Sequence, residues 1–159
     1  MRLENRVAVI TGGAKGLGRA FALKMARGGA RVLVVTRKDV DNLQETVSQV
    51  QAMGGEAALF QGDVTHPEEM RAMAEAAIKS FGRIDILVNN AAVYDGIQRK
   101  PFHEIDPQEW DLVLTVNVKG AFLAAQAVFP YMRDQSYGKI INLASEVFFT
   151  GSHGFAHYV

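Results

Sequence analysis

A glycine-rich segment near the N-terminus, residues 11–18, contains the residue types with the clearest chemistry. It reads Thr-Gly-Gly-Ala-Lys-Gly-Leu-Gly, directly after an apolar run at 7–10 and before an amphipathic stretch. A helix that begins here would point unpaired backbone N–H groups and a partial positive charge at a phosphate group. The glycines would let the backbone approach that phosphate closely. Because strand, loop and helix follow in the required order, the segment predicts dinucleotide binding rather than an unliganded turn.

The elements that position this loop can be read from short apolar runs that alternate with amphipathic stretches. Continuous apolar runs are typical of strands covered by helices on both faces. Such runs occupy residues 7–10, 32–35, 57–60, 86–88 and 140–141. Alternation of strand and helix implies right-handed crossovers. The pattern therefore predicts an α/β protein with a Rossmann-type doubly wound parallel sheet.

Two helices are predicted between these strands from the spacing of apolar residues. Val40, Leu43, Val47 and Val50 form one apolar stripe, and the glycines at 54–55 predict the end of that helix. The next helix is expected to begin near Thr65, and its predicted inward residues are Met70, Ala74, Ala77 and Phe81.

The longest helix is predicted to begin at Asp106. Pro107 stands at the first helical position and Glu109 three residues after the cap, which is a capping-box arrangement. The helix is expected to run to about Met132, with a bend near Pro130.

The glycine spacing makes a family resemblance specific. Gly12 and Gly16 are separated by three residues, and Gly16 and Gly18 by one. This spacing resembles the short-chain dehydrogenase/reductase family. It disfavours an epimerase or dehydratase of the extended branch. Further landmarks follow in that family's order along the whole chain. They are Asp63-Val64, Asn89-Asn90-Ala91-Ala92 (where the family usually has Asn-Asn-Ala-Gly), Asn117, Ser145, and Tyr158 thirteen residues after Ser145.

The end of the second strand bears on the choice between NAD and NADP. Thr36 stands where a family member that uses NAD usually carries Asp, and Arg37 and Lys38 follow. An Arg there accommodates a 2′-phosphate, and a base such as Lys15 in the glycine loop resembles the NADP-preferring branch. We therefore expect NADP, with NAD as the alternative. Alternatively, residues 37–38 are solvated surface charges. Asp39 could also take the role of the acid that binds the ribose hydroxyl in NAD-dependent members, although it better fits a helix cap.

The resemblance implies a full set of cofactor contacts. Asp63 would bind the adenine amino group, Val64 would contact the ring through its backbone, and Asn90 and Ala91 would lie along the nicotinamide ribose. The adjacent asparagines also suit a turn after a strand. The implied cofactor-binding residues are Gly12, Lys15, Gly16, Leu17, Gly18, Arg37, Asp63, Val64, Asn90 and Ala91.

The resemblance also implies the chemistry, which is hydride transfer between NADP(H) and an alcohol/ketone pair, as in 3-oxoacyl and related carbonyl reductases. The carbonyl oxygen then needs a proton from a donor with a suitable pKa, and a free Tyr titrates near ~10 unless a positive charge lowers its pKa. By resemblance, Tyr158 donates the proton, Ser145 holds the substrate oxygen, and Asn117 orders a water behind a Lys four residues after the Tyr. Individually, Ser145 also fits a turn cap, Tyr158 a half-buried aromatic residue, and Asn117 an amide in the interior of a helix.

That Lys position lies beyond Val159, the last residue. We therefore expect residues 1–159 to be an incomplete dinucleotide-binding domain, truncated after the fifth strand and inactive by itself. The alternative is a non-catalytic dinucleotide-binding module.

Residues 146–157 contain aromatic side chains that could line a substrate pocket or belong to the core, and both interpretations stay open. The four His show no metal-ligand spacing, so no metal is expected and surface or rim positions are predicted for them.

Composition restricts the partners. Lys plus Arg (17) equals Asp plus Glu (17), there is no Cys, and no apolar run approaches the ~20 residues of a membrane span. We expect a small-molecule alcohol or ketone as substrate, no nucleic acid, no membrane and a cytoplasmic location. The resemblance also implies that the protein forms a homo-oligomer, in which subunits pair through the apolar side of the long helix around Ala121, Phe122 and Val128.

Overall fold

The computed structural model describes residues 3–94 and 96–158. Its centre is a five-stranded parallel sheet with the order β3-β2-β1-β4-β5. All five predicted strands are present, each slightly longer than its apolar run, and the doubly wound fold is confirmed. The strands are β1 (Val7–Thr11), β2 (Arg31–Thr36), β3 (Ala57–Gln61), β4 (Ile86–Asn89) and β5 (Lys139–Asn142).

Helices cover both faces of the sheet, which explains why the strands are apolar without alternation. Val9, Leu33 and Leu87 face one core with α3 and α5, and their neighbours along the strands, such as Ile10 and Val34, face another with α1 and α2. The helices are α1 (Gly16–Arg27), α2 (Val40–Ala52), α3 (Pro67–Phe81), α4 (Pro107–Leu114), α5 (Gly120–Asp134) and the short α6 (Val147–Thr150), with a 3₁₀ turn at Phe102–Glu104.

The strand order reverses between β1 and β4, which are neighbours in the sheet although they are distant in the chain. The connections after these two strands leave in opposite directions, and the crevice between them is where ligands bind in open α/β sheets. The glycine loop follows β1 and the asparagine pair follows β4, so the fold brings both predicted segments to this crevice.

The long helix differs from its prediction in its continuity, its last residue and its capping box, whereas its predicted cap is confirmed. It is interrupted by a π-helical turn at Thr115–Lys119, and it ends at Asp134. The side chain of Asp106 accepts a hydrogen bond from the backbone N–H of Gln108, as predicted for a cap. Glu109 does not complete the capping box, because its carboxylate lies against Lys100 and His157 instead.

One other helix start needs correction, and one predicted cap residue makes no bond to its helix backbone. Helix α3 begins at Pro67 rather than near Thr65, because the carboxylate of Asp63 accepts hydrogen bonds from both the N–H and the hydroxyl of Thr65 and holds that residue in a turn. Asp39 occupies the cap position of α2, but its side chain bonds to the amide of Asn42 rather than to the helix backbone.

The outer face of the long helix is apolar and largely uncovered. The run Pro107–Asp134 is long and apolar enough to span a membrane by length and composition, contrary to our expectation from the sequence, and core helices of soluble proteins meet the same requirement. Phe122 is 61% exposed, whereas Val128 is fully buried against the core, so the prediction that Val128 lies on the outer face was wrong. Large exposed residues on this run are Trp110, Leu112, Leu114, Val118, Phe122 and Phe129.

Candidate active site

The glycine loop is shaped by one close approach and one open space. A Cβ atom on Gly18 would lie 2.1 Å from the carbonyl oxygen of Gly12, so the helix can begin this close to the loop only without a side chain. Gly16 has φ +56°, and a Cβ there would meet nothing within 4 Å. Lys15 is exposed at the cap position of α1 and its side chain makes no capping bond within the described chain. The first N–H groups of α1 therefore face an open space beside Gly16.

A buried hydroxyl and an arginine hold the back of this loop. The Thr46 hydroxyl lies 3.1 Å from the carbonyl oxygens of both Gly13 and Ala14. Arg19 donates to the same Ala14 carbonyl at 2.7 Å and to the Thr46 hydroxyl at 2.9 Å. These contacts attach the loop to α2. These contacts could not be predicted from the sequence, because Thr46 lies a full helix away and follows no motif.

Asn90 connects β4 to the glycine loop. Its amide donates to the carbonyl oxygens of Thr11 and Gly12, at 3.0 Å each. The Thr11 hydroxyl accepts in turn from the N–H groups of Asn90 and Ala91, at 3.1 Å each. These four hydrogen bonds join the two sides of the crevice.

A cavity of about 180 Å³ lies at the end of β2. Arg37 and Asp63 both line it, and their side chains are 3.5 Å apart (Nη1 to Oδ2). Burial opposes ionisation of Asp63, but bonds from Thr65 and the charge of Arg37 outweigh it and lower the pKa of that carboxyl. The cavity is lined by Gly12, Val35, Thr36, Arg37, Gly62, Asp63, Val64, Ala91, Ala92, Val93 and Val116. Lys15 is not among these residues.

A second cavity, of about 330 Å³, contains all three predicted catalytic residues. Ala91 and Ala92 line both cavities, so the two adjoin. The structure thus brings together the residues predicted for the nicotinamide end and for catalysis. Its lining is Leu17, Asn89, Asn90, Ala91, Ala92, Asn117, Ala121, Asn142, Leu143, Ala144, Ser145, Val147, Phe148 and Tyr158.

Ser145 and Tyr158 are held by different local contacts. The Ser145 hydroxyl accepts a long hydrogen bond, 3.4 Å, from the N–H of Val147, so it also acts as a turn cap. The Tyr158 ring lies 5.3 Å from that of Tyr94 and 6.5 Å from that of Phe155. The aromatics of 146–157 divide between the two open interpretations, because Phe148 lines the second cavity and Phe155 is buried.

Asn117 lies in the π-helical turn. Its side chain accepts from the N–H of Val93 at 2.7 Å and donates to the carbonyl of Val93 at 3.2 Å. The amide is therefore bonded to backbone, and its bonds attach the helix to the loop after β4. Single π turns within helices are frequent at functional sites, but nothing in the sequence pattern distinguished this one from ordinary helix.

His157 contradicts the prediction that the histidines lie at the surface or rim. Its side chain is fully buried, with Nε2 2.8 Å from Oε1 of Glu109. The other oxygen of Glu109 accepts from Lys100 at 2.8 Å. His66, His103 and His153 are exposed, as predicted.

The match to a family decides the class of protein. The short chain dehydrogenase family model matches residues 6–159. The chain belongs to this family. Its members are oxidoreductases that bind a nicotinamide dinucleotide, so the fold and the family predicted from the sequence are confirmed.

Individual family members resemble the chain almost end to end. The peroxisomal hydratase-dehydrogenase-epimerase of Neurospora crassa is 39% identical over 98% of this chain, which spans 16% of that protein. The (2S)-[(R)-hydroxy(phenyl)methyl]succinyl-CoA dehydrogenase subunit of Thauera aromatica is 37% identical over 96% of this chain, which spans 60% of that protein. The crystal structure of a metagenomic short-chain oxidoreductase in complex with NADP superimposes with a TM-score of 0.90, at 36% identity, over 99% of this chain and 70% of that one.

The residues present fit the dinucleotide that the family binds. The open space beside Gly16 adjoins the N-terminus of α1, which suits a pyrophosphate. Arg37 and Asp63 line the cavity at the end of β2, which suits the adenosine half. Asn90 and Ala91 border the adjoining cavity, so a nicotinamide ring bound there would lie near Ser145 and Tyr158.

Proposed function

We propose that the full-length protein catalyses reversible hydride transfer between NADP(H) and an alcohol/ketone pair. The observation that carries this proposal is the shared cavity. Ser145 and Tyr158 line the same space as Asn90 and Ala91, next to the groove that fits the dinucleotide. Carbonyl reduction needs a proton donor positioned beside the dinucleotide, and a hydroxyl group at the end of the groove can supply it.

The two hydroxyl groups would divide the acid–base work. In the reducing direction, Tyr158 donates a proton to the carbonyl oxygen, and Ser145 holds that oxygen by a hydrogen bond. In the oxidising direction, Tyr158 accepts the alcohol proton. The bound dinucleotide supplies or accepts the hydride. Asn117 keeps the helix at the site attached to the loop after β4 through Val93.

Preference for NADP is supported by the charges at the end of β2. Arg37 is half exposed and lines the cavity, Thr36 brings no carboxylate to the ribose, and Lys15 adds a second positive charge on the glycine loop. A guanidinium binds a phosphate through paired charge-assisted hydrogen bonds. A related structure, at 36% identity, contains NADP.

The second cavity favours a substrate with an apolar part beside its carbonyl. Leu17, Val147 and Phe148 contribute apolar side chains to its wall. One relative is named as a dehydrogenase of a CoA thioester. We therefore propose 3-oxoacyl thioesters and aryl or alkyl ketones as the first substrates to test.

The experiment is a turnover assay of the full-length protein with both cofactors. NADPH consumption is followed with the ketones and thioesters named above, and NADP reduction with the corresponding alcohols. We expect substrate-dependent turnover, faster with NADPH than with NADH. Tight NADPH binding without turnover in either direction would instead favour the non-catalytic dinucleotide-binding module.

A further inference from the structure

A buried histidine next to Tyr158 is the strongest feature that the proposed mechanism does not use. The His157 side chain has no exposed surface, and its Nε2 lies 2.8 Å from Oε1 of Glu109. The contact falls outside hydrogen-bond geometry, so it is an attraction between charged or polar groups at close range rather than an aligned bond. Within the described residues, Nδ1 of His157 has no hydrogen-bond partner.

Glu109 is kept ionised by its surroundings. Its hydrogen bond with Lys100 is the largest influence and lowers the pKa of the carboxyl, partial burial opposes this, and His157 adds to the lowering. Each carboxylate oxygen lies 2.8 Å from a different basic group. A negative charge therefore faces the buried imidazole.

The segment that carries Tyr158 has little backbone structure to hold it. Residues 151–158 form turns rather than a helix or strand. Among the described residues, backbone bonds join this segment to the rest of the chain from the N–H of Gly151 to the carbonyl of Val147, 2.8 Å, and from the N–H of Lys100 to the carbonyl of Gly154, 3.1 Å. The guanidinium of Arg99 also lies 5.1 Å from the Phe155 ring centre. Side-chain contacts therefore decide where the segment lies.

We propose that the Glu109–His157 pair positions Tyr158 for proton transfer. This inference rests on the proposed role of Tyr158 as the proton donor. His157 precedes Tyr158 directly, so a contact that holds the imidazole in place also restricts the backbone of Tyr158. Glu109 lies in the first turn of α4, and the same helical run carries Asn117, which is bonded to Val93 at the site. The pair thus connects the Tyr158 segment to the helix that borders the catalytic cavity.

Both members are positioning residues, because neither lines the catalytic cavity. Loss of the pair would leave the dinucleotide groove intact and let Tyr158 move. A displacement of about 1 Å can reduce turnover about 100-fold, so we expect a lower kcat with nearly unchanged cofactor affinity. A merely structural role would change stability and NADPH affinity together.

The test compares four variants of the full-length protein. Glu109→Gln and His157→Phe remove the attraction, and we expect each to lower kcat at least about tenfold, with the NADPH Kd within about twofold. His157→Gln returns an N–H donor and should recover part of the loss. In the double variant Glu109→Gln/His157→Phe, the loss should not exceed the larger single loss, because the two side chains act through one contact.

An exposed pair of the same residue types supplies the control. His103 and Glu104 lie 3.7 Å apart with 66% and 61% of their side chains exposed. His103→Gln and Glu104→Gln should leave kcat unchanged. Amide hydrogen exchange gives a second readout, in which residues 152–158 exchange faster in Glu109→Gln and His157→Phe but not in the two controls.

The outcomes separate this inference from the proposed function. Normal kcat and normal exchange in Glu109→Gln and His157→Phe would overturn the inference, and so would losses of kcat, NADPH affinity and Tm in parallel. Tyr158→Phe is measured alongside. If Tyr158→Phe is inactive while the pair variants are normal, the proposed function stands and the positioning role fails. If Tyr158→Phe retains kcat, the proposed function itself fails.

Discussion

Gly16 and Gly18 are two residues apart and are required for opposite steric reasons. Gly18 leaves room for the carbonyl of Gly12, which a Cβ would approach to 2.1 Å. Gly16 has a positive φ, and a Cβ there would meet nothing within 4 Å, so the space beside it is open in the protein itself. The sequence pattern could predict both positions, because the phosphate-binding requirement is local to one loop. It could not predict Thr46 and Arg19 behind the loop, because that support comes from packing.

The first prediction separates backbone strain from ligand contact at Gly16. Gly16→Ala and Gly54→Ala both place a side chain at positive φ with nothing within 4 Å. Each substitution should cost about 1 kcal/mol of stability. Only Gly16→Ala should weaken NADPH binding, by about tenfold or more, because only its Cβ would enter the phosphate space. Equal NADPH affinities in calorimetric titrations of the two variants would contradict this assignment.

The second prediction concerns Arg37. Arg37→Ala removes the guanidinium at the end of β2 and should weaken NADPH binding about 10- to 100-fold, the size of one or two lost charge-assisted bonds. NADH binding should change little, since NADH has no 2′-phosphate. The matched control is Arg133→Ala, on an arginine whose partner Asp134 is also exposed. A preference of the unmodified protein for NADH would show that the assignment to NADP is wrong.

At the scale of elements, a buried carboxylate connects two strands at the end of the sheet opposite the site. Asp85 precedes β4, has no exposed side-chain surface, and accepts bonds from Arg6, Arg83 and the N–H of Val7. Burial opposes its ionisation, but these donors outweigh burial and lower its pKa. The contacts connect the starts of β1 and β4, the two strands that border the crevice.

Asp85→Asn is therefore expected to destabilise the protein by about 2 kcal/mol at neutral pH, since it leaves the two arginines without a charge partner. Because folding lowers the pKa of Asp85, its contribution is complete above the unfolded-state pKa of about 3.9 and declines as the pH falls further. Urea unfolding at several pH values should show the difference from the unmodified protein shrinking below about pH 4. Asp134→Asn, in an exposed pair, should change stability by less than about 1 kcal/mol. A constant difference down to pH 3 would contradict the pKa direction.

An element could be predicted from the sequence where neighbouring residues determine it, and could not where residues distant in the sequence do. The strands were predictable because burial on both faces requires continuous apolar runs such as 32–35. The Glu109–His157 pair was not, because it joins residues from distant parts of the chain, and no apolar spacing distinguishes the π-helical turn from ordinary helix. Glu109 is the clearest case. Its local spacing indicates a capping box, but Lys100 and His157 offer its carboxylate charged partners that the helix backbone lacks.

At the scale of the whole molecule, the outer face of the long helix is an extensive exposed apolar surface. Only 28% of its most apolar stretch is buried, and Val118, Phe122 and Phe129 are each more than half exposed. Exposed apolar surface of this extent marks an interaction site. We propose that the full-length protein is a homo-oligomer that buries this face.

Phe122→Glu tests the oligomer. A buried carboxylate in the interface would be strongly unfavourable, so size-exclusion chromatography with light scattering should show a smaller species than the unmodified protein. Phe149→Glu, at an 85% exposed residue of the separate helix α6, is the control and should not change the mass. A monomeric unmodified protein would contradict the proposal.

Tyr158→Phe provides the most direct test of the central claim, that Tyr158 is the proton donor beside an NADP groove. The substitution removes one hydroxyl and keeps the ring that contacts Tyr94 and Phe155. In the full-length protein, measured with a ketone that the unmodified enzyme reduces, we predict that kcat falls at least about 100-fold, the usual contribution of a positioned acid. NADPH affinity, measured in the same preparation, should stay within about twofold. A variant with near-normal kcat would contradict the account, because some other group would then supply the proton.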